Sequence, residues 1–151
     1  MRPVYLLDTN IVSEPLKPMP EPGVMERLRT YDGLICISAV VWHELLFGMS
    51  RLDKGARKQR VQAYLFDVVA PACPVIEYDA SSASVHATVR AQTTAGGHIL
   101  SFADGVIAST AVAHNLVLVT RNTKDFHGIT GLYLENWFGS AASAAGVATE
   151  E

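Results

Sequence analysis

The sequence predicts a three-layer α/β/α sandwich built on a mainly parallel sheet. Three observations support this. Short apolar runs alternate with longer helical stretches along the chain. The runs are apolar at successive positions, as expected for strands buried on both faces. Acidic residues follow two of the runs or stand early in helices, and open parallel sheets gather ligands at the carboxyl ends of their strands.

Residues 4–8 read as the first strand, four apolar residues closed by Asp8. A helical turn after Asn10 ends at Pro15, and a proline-rich loop follows through Pro18, Pro20 and Pro22. Pro22 or Gly23 opens a helix to about Thr30. Residues 34–37 form the second strand, and Ser38 caps a helix from Ala39 to about Ser50. A helix over 56–69 is expected to break at Pro71 and Pro74. Residues 75–78 are a third strand. Asp79 caps a helix to about Ala95, ended by Gly96-Gly97, and Ser101 starts another to His114. Residues 116–120 are the fourth strand and 132–135 an edge strand. Residues 1–138 make up the domain, and the Ala/Ser/Gly-rich stretch 139–151 is expected to be a mobile tail.

With 151 residues, 49% apolar and 18% charged, the chain fits one compact domain. Its apolar runs are too short to span a membrane, and nothing near the N-terminus reads as a secretory signal, so a cytoplasmic location is expected. Cys36 and Cys73 lack metal-ligand spacing and read as structural thiols. The net charge of −3 argues against a general nucleic-acid binder. Yet Arg51, Lys54, Arg57, Lys58 and Arg60 lie within ten residues, against Asp53 alone. That cluster is either an ordinary solvated face or a phosphate-tracking patch.

Asp8, Glu44, Asp104 and Asp125 carry the chemistry. Each has an ordinary explanation: an Asx turn at Asp8, a solvated Glu44, a capping box of Ser101 with Asp104, a loop acid at Asp125. Burying an ionised carboxylate costs several kcal/mol unless a partner or metal offsets it. Four such placements at one sheet edge point to a shared cation. Oxygen ligands favour magnesium or manganese. His43-Glu44 does not continue into a zinc motif, because position 47 is Phe. His86, His98, His114 and His127 read as surface or loop residues. Neither a Gly-x-Ser-x-Gly elbow nor a phosphate-binding Gly-rich loop is found. Acids around one or two such ions suit hydrolysis of a phosphodiester, leaving a 5′-phosphate and a 3′-hydroxyl.

Four stretches then resemble the PIN-domain nucleases, in particular the VapC and FitB-like toxins of bacterial toxin–antitoxin pairs. They are Leu-Leu-Asp8-Thr9-Asn10, the segment from Ser38 through Glu44 to Gly48, the segment from Ile99 through Asp104 to Ala108, and Leu118 through Thr120, Arg121 and Asn122 to Asp125-Phe126. The resemblance implies a PIN-like sandwich and a magnesium- or manganese-dependent endoribonuclease. It also implies a homodimer and an antitoxin whose C-terminal segment covers the active site, in a complex of higher order. It makes Asp8 and Asp104 the principal metal ligands, with Glu44 a ligand or the orienter of a water. Many relatives carry an acid where this chain has Asn122, so Asp125 is the candidate for the fourth charge. Asn10, Thr120, Arg121 and Asn122 are expected to position substrate or water. Two rivals stand beside this reading. One is a PIN scaffold that binds RNA or protein without cutting. The other is a phosphatase of the haloacid dehalogenase type using Asp8, disfavoured because Asn10 stands where that family carries a second acid.

Overall fold

Strand β1 (Tyr5–Leu7) lies at the centre of a sheet ordered β3-β2-β1-β4-β5-β6 in the computed structural model, which describes residues 2–139 and 147–149. The other strands are β2 (Ile35–Ser38), β3 (Val75–Ile76), β4 (Val117–Val119), β5 (Leu132–Glu135) and β6 (Val147–Thr149). β1 to β5 are parallel: Leu6 faces Cys36 on one side and Leu118 on the other, and Leu118 faces Leu134. β6 runs antiparallel to β5. Residues 132–135 are therefore not at the edge of the sheet as expected. Of the stretch expected as a mobile tail, 147–149 pair in the sheet, and 140–146 and 150–151 lie outside the described residues.

Consecutive strand residues point to opposite faces. Leu6 and Leu7 are both buried, as are all four residues of β2, so helices cover both sides of the sheet. The helices are α1 (Thr9–Val12), α2 (Pro22–Thr30), α3 (Ala39–Ser50), α4 (Ala56–Ala63), α5 (Ala70–Ala72), α6 (Ala80–Ala95) and α7 (Phe102–Ala113). Local chemistry sets their ends. Ser38 Oγ accepts the Val41 N–H at 3.2 Å, Asp79 Oδ1 the Ser82 N–H at 2.9 Å, and Ser101 Oγ the Asp104 N–H at 3.1 Å.

The stretch after α4 departs from expectation. Residues Tyr64–Val69 form a π-helical segment that leads into α5, so the helical path reaches Ala72. The widened turn leaves Leu65 and Val69 in the core while Phe66 and Val68 face outward. Pro71 sits in the first turn of α5, where a missing N–H costs little. The chain turns extended at Cys73, immediately before Pro74. Burial pushes the Cys36 thiol up to about 12 and the Cys73 thiol up to about 11. Both thiols are free and inert, in keeping with a structural role.

No helix among the described residues is long and apolar enough to cross a membrane.

Candidate active site

Asp8 stands where β1 stops. Its N–H donates to the Val119 carbonyl of β4 at 2.9 Å, which pins the residue at the carboxyl ends of the two central strands. Its carboxylate is held at both oxygens. Oδ1 accepts the Thr9 N–H at 2.8 Å, and Oδ2 accepts the Thr120 hydroxyl at 2.8 Å. Asp8 is only 7% exposed. It caps α1 through the Thr9 N–H, and that contact occupies one oxygen only.

Glu44 comes from α3 and is half-buried; its Oε1 accepts the Thr9 hydroxyl at 2.9 Å. Thr9 thus touches both acids, one through its backbone and one through its side chain. Asp104 lies in the first turn of α7, also half-buried. Asp125 is exposed in a 3-10 turn (Thr123–Phe126), and its carbonyl accepts a hydrogen bond from His98 Nε2 at 3.1 Å.

The electrostatics tie these four segments together. Burial holds the Asp8 carboxyl above the ordinary carboxylate value. The hydrogen bonds from Thr120 and Thr9 pull it down, and the charges of Glu44 and Asp125 push it further up. Burial also raises Asp104; its hydrogen bond with Ser101 opposes the rise, while Asp8, Asp125 and Glu44 add to it. Asp104 thus feels the charges of the other three acids, and Asp8 those of Glu44 and Asp125. Asp125 acts on both buried carboxylates, so it supplies negative charge that the neutral Asn122 cannot.

Among the described residues, no three His, Cys, Asp or Glu side chains stand close enough to enclose an ion unaided. The donor set suits a hydrated cation instead. Magnesium demands oxygen ligands, is commonly held through one or two carboxylates and keeps several of its waters. Asp8 and Asp104, with raised carboxyl values and unequal burial, fit that demand, with Glu44 and Asp125 adding charge.

The neighbouring polar residues are tied into the protein itself. The one hydroxyl proton of Thr120 is committed to Asp8, and its oxygen accepts the Asn122 N–H at 3.1 Å. Thr120 therefore orients a carboxylate and has no proton to donate to a water. Asn10 Oδ1 accepts the Arg121 N–H at 3.1 Å, clipping α1 to the loop after β4. The Arg121 guanidinium lies 4.5 Å from the Phe138 ring centroid. Asn122 contributes through its backbone.

Two features escaped the sequence reading. His86 is not a surface residue: it is 4% exposed, and its Nδ1 lies 2.8 Å from the Tyr78 hydroxyl. It fits between α6 and α7 because Gly105, next to Asp104, has no side chain. Glu14 is buried too; burial would raise its carboxyl, but the Glu21 N–H at 2.9 Å and Lys17 at 3.0 Å hold it below the ordinary value. The signal was there in Lys17, three residues on.

A family model described as "PIN domain" matches residues 5–132. The chain is 33% identical to the toxin FitB of Neisseria gonorrhoeae, over 89% of this chain and 99% of that protein. It is also 33% identical to the tRNA(fMet)-specific endonuclease VapC of Shigella flexneri, over 88% of this chain and 97% of that one. In three dimensions it resembles a chain in a crystal structure of VapBC2 from Rickettsia felis bound to a promoter DNA fragment. There the TM-score is 0.78 at 32% identity, covering 91% of this chain and 99% of the matched chain. With its acids set at the carboxyl edge of the sheet and these likenesses along nearly its whole length, the chain belongs to the PIN-domain family, among the VapC and FitB proteins.

Proposed function

We propose that this chain is a magnesium- or manganese-dependent endoribonuclease, the toxin of a toxin–antitoxin pair. It acts as a homodimer and is restrained by a small antitoxin protein. The observation that carries this reading is the convergence of Asp8, Glu44, Asp104 and Asp125 from four separate segments into one field. Relatives named as a toxin and as a ribonuclease, and neighbours solved as toxin–antitoxin complexes, support the biological role.

A bound divalent ion would offset the charge of the scissile phosphate and make water a better nucleophile. Asp8 and Asp104 would hold it. Thr120 and the Thr9 N–H keep the Asp8 carboxylate at a set orientation. Glu44, braced by the Thr9 hydroxyl, would accept the proton of an attacking water. Attack at phosphorus breaks the bond to the 3′ oxygen, leaving a 5′-phosphate and a 3′-hydroxyl.

The test is single-turnover cleavage of RNA with and without magnesium, reading both end groups. Magnesium-dependent cuts ending in 5′-phosphate are expected. Binding without cleavage would favour a non-catalytic scaffold, and cyclic phosphate ends would sink the metal mechanism.

The support given by Thr120 can be measured separately. Thr120→Val keeps the shape but leaves Asp8 Oδ2 without its donor. Groups that orient metal ligands are commonly worth about 10–100-fold in activity or metal affinity. A loss of that size is expected, with a weaker apparent affinity for magnesium and an unchanged far-ultraviolet spectrum.

A further inference from the structure

Helix α3 carries a second feature beside Glu44. His43, Phe47 and Arg51 follow one another at four-residue spacing, so their side chains stack along one side of the helix. The His43 and Phe47 rings lie 6.2 Å apart between centroids and within 10° of parallel. The Arg51 guanidinium sits 5.2 Å from the Phe47 centroid. The stack is offset and open to solvent: Phe47 is 54% exposed, and His43 and Arg51 are exposed too. The rise of an α-helix places Arg51 only ~10 Å along the axis from Glu44.

Gly48, one turn beyond Glu44, belongs to the same surface. It lies inside α3, where glycine is destabilising relative to alanine. A Cβ there would meet nothing within 4 Å, and its φ is not positive, so neither packing nor backbone geometry requires glycine. Its missing side chain leaves the helix surface one turn beyond Glu44 uncovered. From Arg51 the chain passes through Lys54 into α4, which carries Arg57, Lys58 and Arg60 and whose Ala56, Arg57 and Arg60 line a shallow hollow of about 280 Å³.

We infer that the His43–Phe47–Arg51 stack is a base-stacking platform for single-stranded RNA, leading an unpaired strand from the basic cluster to the acids. This rests on the ribonuclease reading and deepens it. Unstacked bases bind on aromatic faces and arginine planes, and cationic side chains track the backbone. The chain's net charge of −3 makes the basic cluster beside the stack a local exception, complementary to phosphate. A duplex would not present free base faces, so the substrate is an unpaired loop or end.

The test uses a short single-stranded RNA carrying 2-aminopurine, bound to an Asp8→Asn chain in magnesium so that it stays uncut. Binding is expected to quench the fluorophore. Adding Phe47→Leu, which keeps apolar bulk but removes the π face, should weaken binding about tenfold and abolish the quench. Phe47→Tyr should keep both. An abasic residue in place of the fluorophore should weaken binding to the Phe47 chain and leave binding to the F47L chain unchanged. Equal RNA affinity for F47L and its parent overturns the platform while leaving the ribonuclease reading intact. So does a changed sedimentation coefficient at unchanged RNA affinity, which would make this face a contact between two copies of the chain. Failure of the Asp8→Asn chain to bind any RNA overturns both.

Discussion

Asp8→Asn is expected to lower RNA cleavage by more than about a hundredfold while making the metal-free protein more stable. Groups that merely orient metal ligands are worth about 10–100-fold, and a ligand itself should be worth more. The substitution preserves shape. Its amide oxygen can still accept the Thr9 N–H, and its amide nitrogen can donate to the Thr120 hydroxyl once that group turns its proton away. What disappears is a buried negative charge facing Glu44 and Asp125. Relief of that repulsion should raise stability by about 0.5–2 kcal/mol, the common yield of a single stabilising change.

The pH dependence follows with a definite sign. A raised carboxyl value means that the folded chain binds protons more tightly than the unfolded one. The stability that Asp8 and Asp104 lend is complete below the ordinary carboxylate value and is lost as pH climbs through their raised values. Glu14, held below the ordinary value, works in the opposite sense, so the informative quantity is the difference between parent and variant. Melting temperature measured against pH without metal should show Asp8→Asn gaining on the parent as pH rises through this window. Saturating magnesium should close the gap. Cleavage at the parent rate, or a difference that does not change with pH, would remove Asp8 from the metal site.

Gly105→Ala is expected to destabilise the fold by about 1–3 kcal/mol, the usual cost of overpacking. A Cβ at this position would collide with His86 Nε2 and lie 2.9 Å from its Cδ2 and 3.2 Å from its Cε1. The ring has little room to retreat. It is hydrogen-bonded to Tyr78, lies 4.9 Å from the Phe102 centroid and is buried between α6 and α7. For a chain of this size the loss corresponds to roughly 2–12 °C in melting temperature. Because Gly105 adjoins Asp104, cleavage should fall as well. The double variant Gly105→Ala with His86→Ala makes room for the new methyl group and should recover part of both losses. A melting temperature equal to the parent's for the single variant would show that α6 and α7 yield freely at this contact.

These expectations depend on features that differ in how they could be read. Asp8 was legible because an acid closing a greasy strand is rare enough to need a reason. Glu44 and Asp104 were legible because each interrupts an apolar helix within its first two turns. The caps themselves, Ser38, Asp79 and Ser101, depend on a few neighbouring residues, and the helices begin where those residues lie. His86 was misread for the opposite reason. Nothing near it in the chain signals burial, since its partner Gly105 arrives from the next helix. The Thr120–Asp8 hydrogen bond was not foreseen, because the two residues lie 112 positions apart. The π-helical turn was not foreseen either; in it Tyr64 bonds the Val12 carbonyl across the fold at 2.5 Å.

The amino-acid sequence by itself determined the order of strands and helices, the capping of the helices and the four acids, because these rest on short-range periodicity and on the cost of charge in apolar surroundings. Only the tertiary structure decided which oxygen of Asp8 meets which donor and that His86 fills the space Gly105 leaves. The Thr120–Asp8 and His86–Gly105 meetings join residues 112 and 19 positions apart, and they depend on how the sheet and its two helical layers pack.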